Sequence, residues 1–184
     1  MRGNNVARPG DSNTPQDWYR DLPILTKFLL TSTLLSTFAT YFQLTSPYNF
    51  GLIWPMVLQK FQIWRLIGCV VYAGPFGFPY LFHIMMLYQN SLKYEQEPYN
   101  TGAFGTSADY LWMLIFGLLC LYALSLVFGL FFLAEPFLFY ILYVCSRRNA
   151  EGQTSFFGIK FKTLYVPWVN VAYRLIIGGG LMGP

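Results

Sequence analysis

Phe61-Gln62-Ile63-Trp64-Arg65, running on through Leu66-Ile67-Gly68-Cys69-Val70-Val71 and then broken at Gly74-Pro75-Phe76-Gly77-Phe78-Pro79, decides how this chain folds. An arginine beside a tryptophan sits between two apolar blocks, and glycines and prolines follow it. No lipid-facing helix carries that pattern. In hydrocarbon, irregular backbone persists only where protein or water satisfies its N–H and C=O groups. The stretch therefore reads as a re-entrant or interfacial loop packed on a helix bundle. Trp64 belongs in the aromatic belt, and the Arg65 charge reaches the headgroup level or a wet cavity.

Composition agrees. Of 184 residues, 55% are hydrophobic, 20% aromatic and only 11% charged, where a soluble domain carries roughly 25% charged residues. The chain reads as an all-α integral membrane protein. A net charge of +4, with no basic face interleaved by aromatics, excludes nucleic acid as a partner. Cys69, Cys120 and Cys145 lie in apolar surroundings, without CxxC spacing, and His83 is the single histidine. They read as small packing residues, so no disulfide framework and no metal site is expected. Nothing in the chain calls for a cofactor.

Residues 1–16 are polar and carry both signs of charge, unlike a cleavable signal peptide. They read as a mobile cytosolic tail, and residues 17–184 as one transmembrane domain whose first helix acts as an uncleaved signal anchor. Asp21 is placed to cap that helix, with Pro23 in its first turn. Phe28 to about Leu44 is the first span, dotted with Ser32, Thr33, Ser36, Thr37 and Thr40, small polar residues that let helices approach closely. The long loop from Thr45 to Pro79 reads as short helices half-sunk in one leaflet. A second helix from Phe78 to Leu92 is short against the roughly 20 residues a bilayer requires. Residues 93–109 form a polar connection, and Tyr110 to Gly129 the third helix. Glu135-Pro136 reads as a tight turn, and Phe137 to Ser146 as a fourth helix too short to span unless it is central or the bilayer thins. Residues 147–165 are polar and basic, with an amphipathic segment around Phe157-Gly158-Ile159-Lys160-Phe161-Lys162 suited to headgroups. A fifth helix opens at Val166-Pro167-Trp168, and the chain reads as truncated soon after it.

Nine basic residues, Arg2, Arg8, Arg20, Lys27, Lys93, Arg147, Arg148, Lys160 and Lys162, fall on one side of these spans, and Lys60 and Arg65 on the other. The positive-inside rule then places the N-terminus in the cytosol and the long loop on the lumenal or external side.

The Trp64-Arg65 loop, Leu87-Tyr88-Gln89-Asn90-Ser91, Ala108-Asp109-Tyr110-Leu111, Leu142-Tyr143-Val144 and the run from Phe157 to Val169 occur in an order, and with loop lengths, that resemble the derlin family from about Asp17 to Gly180. Derlins are rhomboid-like pseudoproteases of the endoplasmic reticulum membrane. The resemblance implies a rhomboid-like bundle of six transmembrane helices, about five of them present here, with truncation before the sixth and a long membrane-associated loop between the first two. It also implies a non-catalytic role in endoplasmic reticulum-associated degradation. There the chain would assist retrotranslocation of misfolded lumenal or membrane proteins through a polar groove and local membrane thinning. The partners implied are the misfolded clients, a membrane-bound ubiquitin ligase complex and, indirectly, a cytosolic AAA ATPase.

Two alternatives are weighed against that reading: an active intramembrane rhomboid protease and a membrane trafficking adaptor. A serine protease needs a nucleophilic serine in a Gly-x-Ser-Gly setting on the fourth helix. Phe137 to Ser146 contains none, and neither Ser125 nor Ser155 lies between the required glycines. No catalytic residue is therefore assigned. The candidate groove residues are His83, on the second helix where the family usually has asparagine, with Gln89, Asn170 and Arg174. His83 either bonds client backbone or senses pH, or else makes a bundle contact with Tyr80 or the fifth helix. Arg174 is expected to face water, a partner or a headgroup. Trp64 and Arg65 form the loop motif, anchoring it through an aromatic contact and hydrogen bonds to loop carbonyls.

Overall fold

The computed structural model describes residues 19–96, 106–148, 153–156 and 159–177. The 1–16 tail therefore lies outside the described residues. Within them the chain forms seven α-helices, two 3-10 turns and one antiparallel hairpin. The helices are α1 (Ile24–Tyr41), α2 (Trp54–Lys60), α3 (Trp64–Val71), α4 (Phe78–Gln96), α5 (Thr106–Phe128), α6 (Ala134–Arg148) and α7 (Val166–Ile177). The hairpin pairs β1 (Gln153–Phe156) with β2 (Ile159–Lys162), Gln153 opposite Lys162. It is the one departure from an all-helical expectation, and the alternation Ile-Lys-Phe-Lys has the two-residue period of a strand.

The centre of the bundle is α6. Its buried residues, Ala134, Phe137, Leu138, Ile141, Leu142, Cys145 and Ser146, recur at helical spacing, and α3, α4, α5 and α7 pack around it. At 15 residues it is about 22 Å long, against a hydrocarbon core of about 30 Å. Its short length is accommodated inside protein, because its neighbours shield it. Among the described residues, one helix is long and apolar enough to cross a membrane by length and composition, Ser107–Phe128, with mean hydropathy 2.4. Its outward side chains Trp112, Phe116, Leu119 and Val127 are exposed, an apolar surface too large to face water.

In α1 the small polar residues turn inward. Thr26, Thr33, Ser36 and Thr37 are buried, while Phe28, Leu35 and Phe38 face out. Thr33 Oγ1 donates to the Leu29 carbonyl at 2.8 Å, and Ser36 Oγ donates to the Val71 carbonyl at 3.2 Å. These two hydroxyls thus find carbonyls, Ser36 reaching across to the end of α3.

Two boundaries differ from the sequence expectation for physical reasons. The second helix, α4, runs on to Gln96 because Tyr94 and Glu95 are buried in the bundle and held there. Glu135-Pro136 is the first turn of α6 rather than a tight turn, since proline there loses an N–H that has no partner in a helix start anyway. The reversal lies just before it, at Gly129, whose φ of +66° a residue with a Cβ would adopt only under strain.

The long loop is docked on the bundle by backbone. Leu52 N–H donates to the Phe131 carbonyl at 2.8 Å, and Leu133 N–H donates to the Cys69 carbonyl at 2.8 Å. Side chains add to this: Tyr122 Oη donates to the Leu66 carbonyl, and Trp54 Nε1 to Ser125 Oγ, which donates on to the Leu130 carbonyl.

Candidate functional site

The loop is organised on Arg65, which is only 4% exposed. One guanidinium nitrogen donates to the carbonyls of Tyr48 and Gly51 at 2.8 and 2.9 Å, and Nε donates to Gln62 Oε1 at 2.6 Å. The fork of an arginine can span two loop carbonyls and an amide at once. Its charge goes to loop carbonyls rather than to headgroups, and it fixes the 3-10 turn Pro47–Phe50 onto α3. Gly68 completes the fit, because a Cβ there would lie 2.8 Å from the Phe50 ring. Trp64, next to Arg65, is 61% exposed, as are Phe61, Ile63 and Ile67 to similar extents. The loop therefore presents an apolar outer surface, in keeping with the aromatic belt.

On α4, His83 is buried at 3% exposure. Its Nδ1 lies 3.3 Å from Oε1 of Glu135 at the start of α6. Its partner is thus a carboxylate on the central helix, neither Tyr80 nor the fifth helix. Glu135 in turn borders a cleft of about 390 Å³ between α5, α6 and α7, whose walls include Leu121, Phe139, Tyr140, Asn170 and Val171. Asn170 is 3% exposed, and its Oδ1 has no hydrogen-bond partner among the described residues.

Gln89 is placed elsewhere. It is exposed, on the outward stripe of α4 with Phe78 and Leu81, six residues on from His83 and so about 120° around the helix from it. The structure brings His83 to Glu135 and sets Glu135 and Asn170 on one cleft, but Gln89 stands apart from both. Arg174 lies in α7 with its side chain outside the described residues.

Sequence reading missed two carboxylates, the buried Glu95 and the half-buried Glu135. Glu135 was expected in a turn and Glu95 in a polar connection. Glu95, 4% exposed, accepts from Thr26 N–H at 2.9 Å, Thr26 Oγ1 at 2.8 Å, Leu25 N–H at 3.2 Å and Ser107 Oγ at 3.0 Å. It caps α1 from 69 positions away, whereas α1 has no side-chain cap of its own at Pro23. The available signal was that an acid bordering an apolar block must find hydrogen-bond partners if it is buried. Ser91, another neighbour, accepts from Tyr110 Oη at 2.7 Å. Among the described residues no group of three or more metal-ligating side chains comes together.

Comparison with known proteins agrees with this architecture. A family model described as the Der1-like family matches residues 22–183. The chain is similar to Derlin-1 of Bos taurus and of Homo sapiens, 38% identical over 172 residues in each case, covering 90% of this chain and 66% of those proteins. It is also similar to Derlin-1.1 of Zea mays, 32% identical over 174 residues, covering 92% of this chain and 70% of that one. The chain thus spans 66% of the length of the bovine and human relatives. With a family model matched over nearly its whole length and a short central helix packed by α3, α4, α5 and α7, the chain belongs to the Der1-like family and has that family's rhomboid-like helical membrane fold.

Proposed function

We propose that this chain acts in endoplasmic reticulum-associated degradation as a non-catalytic membrane component that helps misfolded lumenal or membrane proteins return to the cytosol. It sits in the endoplasmic reticulum membrane as a multi-pass protein with a cytosolic N-terminus, beside a membrane-bound ubiquitin ligase complex, and it reaches a cytosolic AAA ATPase indirectly. The observation that carries the reading is Gln89, an amide on the outward apolar stripe of α4, seven residues and so about 10 Å in from the end of that helix. A polar side chain facing hydrocarbon is costly until it meets a partner. An unfolded chain, with its unsatisfied backbone N–H and C=O groups, is such a partner. Behind it, the His83–Glu135 pair keeps a second polar centre inside the bundle.

Local thinning of the bilayer belongs to the same reading. Its support is the loop, where the short helices α2 and α3 carry Leu58, Phe61, Ile63, Trp64 and Ile67 on an exposed face. A wedge of that kind occupies one leaflet without spanning it. The docked Arg65 core holds the wedge rigid.

Against proteolysis stands the hydrogen bonding of the four buried serines among the described residues. A nucleophilic serine needs a base on its hydroxyl. Ser36, Ser125 and Ser146 donate to carbonyls instead, and Ser91 receives Tyr110, while His83 is paired with a carboxylate.

The test is turnover of a misfolded lumenal glycoprotein in cells that depend on this chain. Gln89→Leu is expected to lengthen the client's half-life with the protein still present at normal abundance. An unchanged half-life at equal abundance overturns the reading, and an adaptor that binds clients without moving them would give that result.

A further inference from the structure

Arg65 is a buried cation without a counter-ion. The long loop around it, residues 45–79, holds Lys60 and Arg65 and no acidic residue, and among the described residues no carboxylate pairs with the guanidinium. Loop carbonyls and the Gln62 amide take Nη1 and Nε, which leaves Nη2 without a hydrogen bond among the described residues. Carbonyl dipoles satisfy the N–H groups they meet, but a buried charge is held cheaply only when it is also paired. Beside Arg65 lies a pocket of about 290 Å³, lined by Thr45, Asn49, Phe50, Gln62, Trp64 and Arg65 itself. All of these side chains except Phe50 carry N–H or O–H donors, and none is a carboxylate. An arginine N–H bonds only to the oxygen of an amide, so the contact from Nε to Gln62 Oε1 at 2.6 Å leaves the Gln62 NH2 group with its donors unused.

We propose that this pocket binds a phosphate oxyanion, with Arg65 Nη2 meeting its charge and Gln62, Asn49 and Thr45 supplying further donors. A phosphate offers more acceptor oxygens than a carboxylate, so it makes fuller use of a pocket this rich in donors, and a guanidinium matches it well. The volume is just under the roughly 300–1,000 Å³ of sites for drug-sized ligands, which suits a headgroup rather than a whole lipid. The phosphodiester of a phospholipid in the leaflet that holds the loop is the expected source, and free phosphate is the other. Trp64 belongs both to the pocket and, at 61% exposure, to the apolar outer face with Phe61, Ile63 and Ile67. A lipid phosphate at Arg65 therefore leaves its acyl chains beside side chains that already face hydrocarbon. Arg65 stays with the loop, and the phosphate comes to it. The site uses none of His83, Glu135 and Gln89, and it does not rest on any client.

Gln62→Glu separates this role from the stability of the loop. The carboxylate it introduces still accepts from Arg65 Nε, so the loop is expected to resist limited proteolysis as wild type does, while the NH2 donors are lost and the guanidinium charge is neutralised. The purified full chain, stripped of lipid in detergent, is offered dioleoylphosphatidylcholine or the phosphate-free dioleoylglycerol, and retained lipid is read by native mass spectrometry. In a second arm, thermal unfolding is followed in sodium phosphate and in sodium chloride at matched ionic strength. Wild type is expected to retain the phospholipid about ten-fold better than the diacylglycerol, the worth of one hydrogen bond to a charged group, and Gln62→Glu to lose that preference. Stabilisation of wild type by inorganic phosphate, lost in Gln62→Glu and without a lipid preference, upholds the site and assigns it to free phosphate. Neither effect in wild type overturns the proposal, as does either effect surviving in Gln62→Glu with its loop intact. Should Gln62→Glu be cut faster in the loop than wild type, Asn49→Asp decides by the same two readings, because it sets a carboxylate on the same pocket from an exposed position.

Discussion

Oε2 of Glu95 accepts two hydrogen bonds from one residue, Thr26, through its backbone N–H at 2.9 Å and its hydroxyl at 2.8 Å. The end of α4 thereby closes the beginning of α1. A carboxylate at a helix N-terminus satisfies N–H groups that have no partner within the helix and complements the positive end of its dipole. Here the cap comes from another helix, so it also fixes the α1–α4 contact.

Glu95→Ala is therefore expected to destabilise the bundle by about 2 kcal/mol or more, since it removes a cap and leaves the Thr26 hydroxyl buried without its partner. Asp21→Ala, by contrast, is expected to change stability by less than about 0.5 kcal/mol, as an exposed substitution does. Thermal unfolding in detergent checks both, and a larger loss for Asp21 than for Glu95 sinks the assignment.

Gly117 on α5 faces the Tyr140 ring so closely that an added Cβ would collide with it. Gly117→Ala is expected to cost about 1–3 kcal/mol through overpacking, despite alanine's better helix propensity. Trimming the ring in Gly117→Ala/Tyr140→Ala is expected to cost less than the two single changes added together. Strict additivity in a double-mutant cycle counts against the contact.

Arg65→Lys is expected to behave nearly as badly as Arg65→Ala, because a single ammonium cannot reproduce bonds to the Tyr48 and Gly51 carbonyls and to Gln62 together. Limited proteolysis is the readout: both variants are expected to be cut within residues 45–62 faster than wild type, while α5 stays protected. Equal cutting of wild type and Arg65→Lys contradicts this account of the loop.

Burial pushes the Cys69 thiol up from 9.0 to about 12. Its side chain packs under the loop, with Sγ 3.1 Å from the Leu66 carbonyl. Iodoacetamide at pH 8.5 is expected to leave Cys69 unlabelled in the folded protein and to label it after denaturation, since the thiolate is the nucleophile. A folded pKa above the unfolded one adds stability that is complete below pH 9 and is lost as pH climbs from 9 toward 12. Cys69→Ser is expected to flatten that alkaline limb, and an unaltered limb counts against the assignment.

Much of the architecture was legible because the bilayer constrains it so strongly. Glycine and proline around the Trp64-Arg65 pair could not sit in lipid, so a docked loop followed, and the uniform apolarity of α5 announced a span. The extra turn of α4 was not legible, because it depends on Thr26 and Ser107 arriving from distant segments to receive Glu95. Glu135-Pro136 is ambiguous in one dimension, since the same dipeptide suits a turn or a helix start. His83, Asn170 and Gln89 were each identifiable as polar residues in apolar runs, but which of them share a cavity is decided by helix phase, which a list of polar positions does not contain.

The central claim is that the outward face of α4 around Gln89 meets client polypeptide. A photo-crosslinking amino acid at position 89, with one at the lipid-facing Leu119 of α5 as the control, tests it in cells degrading a misfolded lumenal glycoprotein. Client captured at 89 and absent at 119 is the result expected. Equal capture at both positions, or capture at 119 alone, would mean that α4 offers clients nothing the rest of the membrane surface does not.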